Sequence, residues 1–261
     1  MEISVVIPAW NEEFYLPGLL STLRTNSHMI HEIIVADNNS RDATREVADR
    51  FGCRVVPGGN PATGRNSGAG AAKGEIMLFL DADAIIESEM FDRIVAAFSD
   101  FDVIGYHPIL VPTTDDGFIR CCYRVADLYF RIARSLGVLQ GLGSIIAVRR
   151  SAFASIGGFN ESLSVGEDVD FFRRLGHVGK IVYDINMRSY VSARRFYVEN
   201  RFVFASKCLV WAILRFFGSL RCPWGYRWIR YPLHVFERDI AFLTDVKTQK
   251  AKHVRRVALR N

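Results

Sequence analysis

The feature that most constrains this chain is an alternation in its first third: apolar runs of about five residues, each followed by a polar cluster and then a helix-compatible stretch. Ile3–Ile7 is β-branched and closed by Pro8, and Leu16–Leu23 then carries helical spacing. Glu32–Ala36 is a second strand and Asp42–Phe51 a second helix, with Ser40 or Asp42 available as its N-cap. Arg54–Val56, a helix over Ala62–Ala72 entered by a Gly-rich turn, and a strand at Ile76–Leu80 continue the series. Strands alternating with helices predict an α/β fold with a largely parallel sheet. Such sheets bind ligands in the crevice beyond the carboxyl ends of their strands. Three of those ends carry polar clusters: Trp10-Asn11-Glu12-Glu13, Asp37-Asn38-Asn39-Ser40 and Asp81-Ala82-Asp83. They predict one shared site.

At 261 residues and 49 % hydrophobic content, the chain can bury one large domain, or one domain with an appendage. Five cysteines form no CxxC pair, and the N-terminus reads as a strand rather than a cleavable signal, so a cytoplasmic, reducing setting is expected. Charge divides the chain: residues 194–261 hold 15 Lys/Arg and 4 Asp/Glu, net +11, which leaves −6 on residues 1–193. An acidic front suits a metal site, and a basic tail suits an anionic partner.

The division is placed at residues 1–195 and 196–261. In the second part Phe202, Leu209, Ile213, Phe216 and Leu220 fall on one helical stripe, while Arg201, Lys207 and Arg215 lie off it and interrupt any membrane-spanning run. Trp211, Trp224, Tyr226, Trp228 and Tyr231 add interfacial aromatics. Two readings stand side by side. One is an amphipathic helix in peripheral contact, through residues 196–235, with the cytoplasmic face of the inner membrane. The other is a core or dimer-packing helix.

Asp81 and Asp83 are two apart at a strand end, so both carboxylates can face one ligand. Mg²⁺ and Mn²⁺ take one or two protein carboxylates plus substrate phosphate oxygens. A solvated turn accounts for the same pair, just as turn chemistry accounts for Asp37 and Asn38. Gly68, Gly70 and Gly74 are spaced one residue too widely for a dinucleotide fingerprint, and Arg65 reads instead as a cation for a phosphate or base. Glu167 and Asp168 open a predicted helix, where acids complement the dipole; a general base is the other reading. The histidines show no zinc spacing, and neither a nucleophile elbow nor a P-loop is present.

Taken in order from Val5 to about Leu175, these segments resemble the family 2 glycosyltransferases with the GT-A fold: a Rossmann-like, mostly parallel mixed sheet flanked by helices, here with a helical basic C-terminal extension. The resemblance implies that Pro8, Ala9, Trp10, Asn11 and Glu12 help hold a nucleotide, with Asp37 and Asn38 at the base and Arg65, Asp81 and Ala82 nearby. Asp83 would be the direct ligand of Mn²⁺ or Mg²⁺. Asp168, beside Glu167, would be the catalytic base, and Gly158 and Phe159 would line the donor or acceptor site. Arg195, in Ser192-Ala193-Arg194-Arg195-Phe196, matches an Arg-containing segment near the diphosphate in some relatives; a solvated basic strand end is the other reading.

The implied reaction is inverting transfer of a single sugar from a nucleotide-diphosphate sugar to a saccharide or lipid-linked acceptor. UDP is favoured because Asp37 suits uracil, and GDP is the alternative. Asn38 stands where the family often has a second acid, and the Q-x-x-R-W motif of processive synthases is absent. A sugar-nucleotide pyrophosphorylase would need a Gly-rich, Arg-containing loop after the first strand, where Pro8-Ala9-Trp10-Asn11 stands. A nucleic-acid-binding module would use the basic aromatic tail but leaves the acidic cluster without a role, so no nucleic acid is expected.

Overall fold

A computed structural model describes residues 1–163, 165–216, 236–239 and 241–242. Leu220, Trp224, Tyr226, Trp228 and Tyr231 of the expected amphipathic stripe and aromatic belt lie outside these. The strands are β1 Ile3–Ala9, β2 Ile30–Asp37, β3 Arg54–Pro57, β4 Ile76–Leu80, β5 Ala84–Ile85, β6 Val103–Pro112, β7 Ile145–Arg149 and β8 Lys180–Val191. The helices are α1 Leu16–Thr25, α2 Thr44–Arg50, α3 Pro61–Ala71, α4 Glu89–Phe98, α5 Gly117–Ser135, α6 Arg150–Ser155, α7 Glu167–Leu175, α8 Arg194–Val198 and α9 Arg201–Phe216. Strands expected from residue pattern appear within two residues of their predicted ends. Helix α2 starts later than expected: Ala43 takes the cap position, and Asp42 accepts the Thr44 N–H from one residue earlier.

The described strands form one mixed sheet in the order β3-β2-β1-β4-β7-β6-β8-β5. Strands β1 to β4 pair in parallel, β7 runs antiparallel between β4 and β6, and β6 and β8 are parallel to each other. This arrangement decides where the site forms. The carboxyl ends of β1, β2, β3, β4, β6 and β8 all reach the same sheet edge. Because β7 is reversed, its amino end, and so the loop at residues 140–144, arrives there too.

Alternation along the buried strands splits the core into two layers. Ile3, Val5 and Ile7 of β1 and Ile76, Leu78 and Leu80 of β4 pack with α1, α2 and α4, through Leu20, Val47 and Phe91 among others. Val6, Met77 and Phe79 face the other way, against α3, α6 and α7, where Ala69, Ala152 and Phe171 lie. Gly68 of α3 serves this packing: a Cβ there would come within 2.3 Å of Val6 Cγ1. Only a bare backbone lets α3 approach β1 so closely.

Helix α5 is started by Asp116, which accepts the Phe118 and Ile119 N–H groups. Along it Val125, Leu128, Ile132 and Leu136 are exposed; on α9 so are Phe202, Leu209, Ile213 and Phe216, and no α9 residue is buried. Among the described residues no helix is long and apolar enough to cross a membrane.

Candidate active site

The loops after β1 and β2 are laced together. Asn11 and Asn39 both adopt positive φ, 55° and 51°, a conformation Asn tolerates better than most residues. The Asn11 N–H donates to Ser40 Oγ and its side-chain oxygen accepts from Arg41 N. Thr44 Oγ1 accepts from Glu12 N, and Asp42 from Glu13 N. Asp37 is buried at the bottom of this weave, taking the Ser40 N–H and the Arg45 Nε–H, the latter at 2.5 Å. Asn38 donates its backbone N–H to Ala9 O. Pro8 faces α3, where a Cβ on Gly64 would meet it at 3.2 Å, and Ala9 and Ala82 are core residues, so all three contribute shape rather than chemistry. Trp10 is half-buried in the first loop.

Arg65 is the hub. Its side chain is 3 % exposed, yet it arrives from α3 to pair with Asp81 at 2.9 Å and Glu167 at 2.9 Å, and it donates to Gly143 O. The guanidinium lies over the Phe159 ring, 5.3 Å from its centroid. Burial works against the charge, but Asp81, Glu167 and Asp168 outweigh it and hold the group protonated. Burial pushes the Glu167 carboxyl up, the neighbouring Asp168 adds to this, and Arg65 opposes both. The cation expected to face a ligand is thus a buried strut joining α3, the end of β4 and the start of α7.

Asp83 meets Arg194, the first residue of α8, at 3.0 Å, while Arg194 grips both Glu12 oxygens at 2.9 Å in a fork-to-fork pair. Burial raises the Asp83 carboxyl to about 7; Arg194 pulls it down, and Glu12 and Asp81 push it further up. Negative charge is concentrated here beyond what one guanidinium balances. Among the described residues no set of three or more His, Cys, Asp or Glu could enclose an ion alone. Two acidic side chains at a strand end are nevertheless what Mg²⁺ or Mn²⁺ requires when diphosphate and water complete its shell. By chemical type Asp83 and Asp81 fit such an ion, and here each is engaged by a guanidinium, of Arg194 and Arg65 respectively.

Asp168 reaches the same edge from α7, whose cap residue Gly166 sits at φ 87°. Its Oδ2 accepts the Gly143 N–H at 2.9 Å and its Oδ1 the Val169 N–H at 2.8 Å; Arg215 Nη2 of α9 lies 3.7 Å from Oδ1. The 140–144 loop joins the two halves, since Ser144 O also accepts from Asp81 N. A Cβ on Gly143 would meet Arg65 Nη2 at 2.9 Å, so this position has no room for a side chain. His107 supports the loop from below through Leu142, and burial depresses its pKa to about 4.

Glu12, Asp37, Arg65, Asp81, Asp83, Glu167 and Asp168 therefore gather at one edge. Gly158 and Phe159, expected to line the donor or acceptor site, are both buried. Phe159 is 2 % exposed, stacked on Phe171 at 4.1 Å and pinned by two bonds to Asn66, because an aromatic there completes the core beneath Arg65. Of the two arginines after β8, Arg194 reaches Asp83. Sequence reasoning read Arg215 only as a charge off the helical stripe, and it missed Arg194, Gly143 and Asp239. The last is buried and accepts from Tyr15, Thr113 and Ser192, tying residue 239 to the ends of β6 and β8.

Residues 4–156 match the family described as "Glycosyl transferase family 2", more than half of the chain, and the chain belongs to that family. Among its relatives is an "Uncharacterized glycosyltransferase" of Haemophilus influenzae, 26 % identical over 181 residues, 66 % of this chain and 61 % of that protein. Another is an "Undecaprenyl-phosphate 4-deoxy-4-formamido-L-arabinose transferase" of Pseudomonas paraeruginosa, 34 % identical over 167 residues, 57 % of this chain and 47 % of that one. The match thus spans about half to three-fifths of the length of these curated relatives. Of the solved structures, glucosyl-3-phosphoglycerate synthase from Mycobacterium tuberculosis, in complex with Mn²⁺, UDP-glucose and phosphoglyceric acid, superposes with a TM-score of 0.62. It is 22 % identical and covers 88 % of this chain and 89 % of its own. The fold is GT-A, as the family resemblance implied.

Proposed function

We propose that this protein transfers a single sugar from a nucleotide-diphosphate sugar, UDP-linked in preference to GDP-linked, to an acceptor hydroxyl with inversion at the anomeric carbon. One observation carries the reading. Arg65 and the 140–144 loop tie Asp81 and Asp168 together at one edge of the sheet, which supports a leaving-group site and a base as neighbours there. The solved relative with UDP-glucose and Mn²⁺ supports the donor class and the ion.

In this mechanism a carboxylate oxygen of Asp168 takes the proton of the acceptor hydroxyl. The acceptor oxygen forms a bond to the anomeric carbon as the bond to the diphosphate oxygen breaks, and the diphosphate leaves with the electron pair. Gly143 N–H orients Asp168, and Arg65 fixes the distance between the two halves. Arg194 stands beside Asp83 as a fixed positive charge on the diphosphate side. Asp83, with Asp81, would hold a divalent ion, which when bound would supply neutralisation of the charge gathering on the leaving group.

The exposed apolar residues of α5 and α9, with a net +11 on residues 194–261, support peripheral contact with an anionic membrane surface, where a lipid-linked acceptor would be met.

A thermal-shift screen of nucleotide sugars with and without Mn²⁺ tests the donor reading. One UDP-sugar should raise Tm in a metal-dependent way that Asp83→Asn abolishes, since ligand at about a hundredfold excess over its Kd stabilises by about 2.7 kcal/mol. No response to any nucleotide sugar, with or without metal, would refute it.

A further inference from the structure

The end of α9 carries polar groups that neither the packing nor the transfer chemistry uses. Arg215 is 9 % exposed, and its guanidinium lies 3.5 Å from the Trp211 ring centroid. Arg215 Nε and Trp211 Nε1 are both buried without a hydrogen-bond partner. Gln140, fully buried, likewise leaves Nε2 unpaired while its oxygen takes the Tyr129 hydroxyl at 3.1 Å; Tyr129 also lies 2.9 Å from Ala212 O on α9. An unpaired buried donor is destabilising, and more so when charged. Three of them around one helix end make a deficit of acceptors.

Asp168 does not fill that deficit. Its distance from Arg215, 3.7 Å, exceeds the roughly 2.7–2.9 Å of a charge-assisted bond, and both of its oxygens already accept backbone N–H groups. Glu167 is matched by Arg65. What would satisfy this corner is an anion with several acceptor oxygens. A phosphate presents three in tetrahedral array, suited to donors arriving from different elements.

We infer that Arg215, with Trp211, docks a phosphate group carried by the acceptor beside Asp168. This rests on the proposed transferase reading, whose acceptor it describes. The docked phosphate draws Arg215 away from Asp168 Oδ1, which then turns to the acceptor hydroxyl. The phosphate has two sources: a lipid headgroup, whose chain would lie on the exposed Leu128, Ile132, Leu209 and Ile213 of α5 and α9, or a soluble phosphoester.

The test titrates inorganic phosphate into the full chain filled with UDP and Mn²⁺, for wild type, Arg215→Gln and Arg215→Lys, with circular dichroism reporting folding. Binding should weaken at least tenfold, about 1.4 kcal/mol, in the Gln variant and largely return in the Lys variant. Equal affinity in the Gln variant, or no phosphate binding by wild type, overturns the inference. UDP binding is measured first in the same samples; its absence in wild type faults the donor reading, while the dependence of phosphate binding on Arg215 stays readable. Flotation with phosphatidylcholine vesicles, with and without phosphatidic acid, separates the sources. Arg215-dependent capture by the acidic vesicles assigns a lipid headgroup, and phosphate binding without capture assigns a soluble phosphoester.

Discussion

Replacing Arg65 by Met keeps the length and apolar contact of the side chain while removing its charge, and the structure sets the size of the effect. Glu167, 12 % exposed, loses its paired cation, and breaking such a buried pair costs about 3–5 kcal/mol. Asp81, 31 % exposed, regains water and adds little. Gly143 O loses one donor, about 1 kcal/mol. Methionine packed on Phe159 recovers part of this, so the expected loss is about 3 kcal/mol. Urea unfolding should show a lower midpoint with an unchanged slope. Adding Glu167→Gln should restore about 2 kcal/mol, a coupling that only contacting groups show. A loss under about 1 kcal/mol, the range of surface pairs, would refute the claim that Arg65 is a buried strut, as would strict additivity with Glu167→Gln.

Three further outcomes follow from the same geometry. His107 is held neutral by burial at a pKa of about 4, against 6.5 when free, so below pH 6.5 the unfolded chain takes up a proton that the folded one refuses. Its contribution is full above pH 6.5 and drains as pH falls toward 4, by about 3 kcal/mol; His107→Gln should flatten that limb of the stability–pH curve. Gly143→Val should displace Arg65 and the Asp168 bond together, lowering Tm and abolishing transfer, whereas a surface Gly70→Ala in α3, where a Cβ meets nothing, should be neutral or slightly stabilising. Arg194→Ala should leave Asp83 and Glu12 facing each other without a cation and lower the Mn²⁺ concentration needed to fill the site, read by calorimetry.

Strand-end chemistry made half of the site legible in the sequence. Asp37, Asp81 and Asp83 each follow an apolar run, and parallel pairing then delivers them to one edge. Arg65 could be found by its type but not by its role: ion pairs across 16 and 102 positions leave no local periodicity. The reversed strand β7 hid the other half. Its loop contributes only backbone atoms, through Gly143 and Ser144, and backbone donors look alike in any sequence. Arg194, which meets Asp83, was not singled out beside its neighbour Arg195; a one-residue step on a helix turns a side chain by about 100°, and adjacent arginines look alike in a sequence. Phe159 was expected at the ligand and lies in the core, where its aromatic surface supports the guanidinium above it.

The central claim is that Asp168 removes the acceptor proton at a site that holds its donor independently. The direct measurement is the rate of sugar transfer by Asp168→Asn beside the affinity of the same variant for the UDP-sugar and Mn²⁺. The account predicts donor binding within about twofold of wild type and transfer reduced by roughly 10²–10⁴-fold, the range of a lost general base. Near-normal transfer with intact donor binding would contradict it.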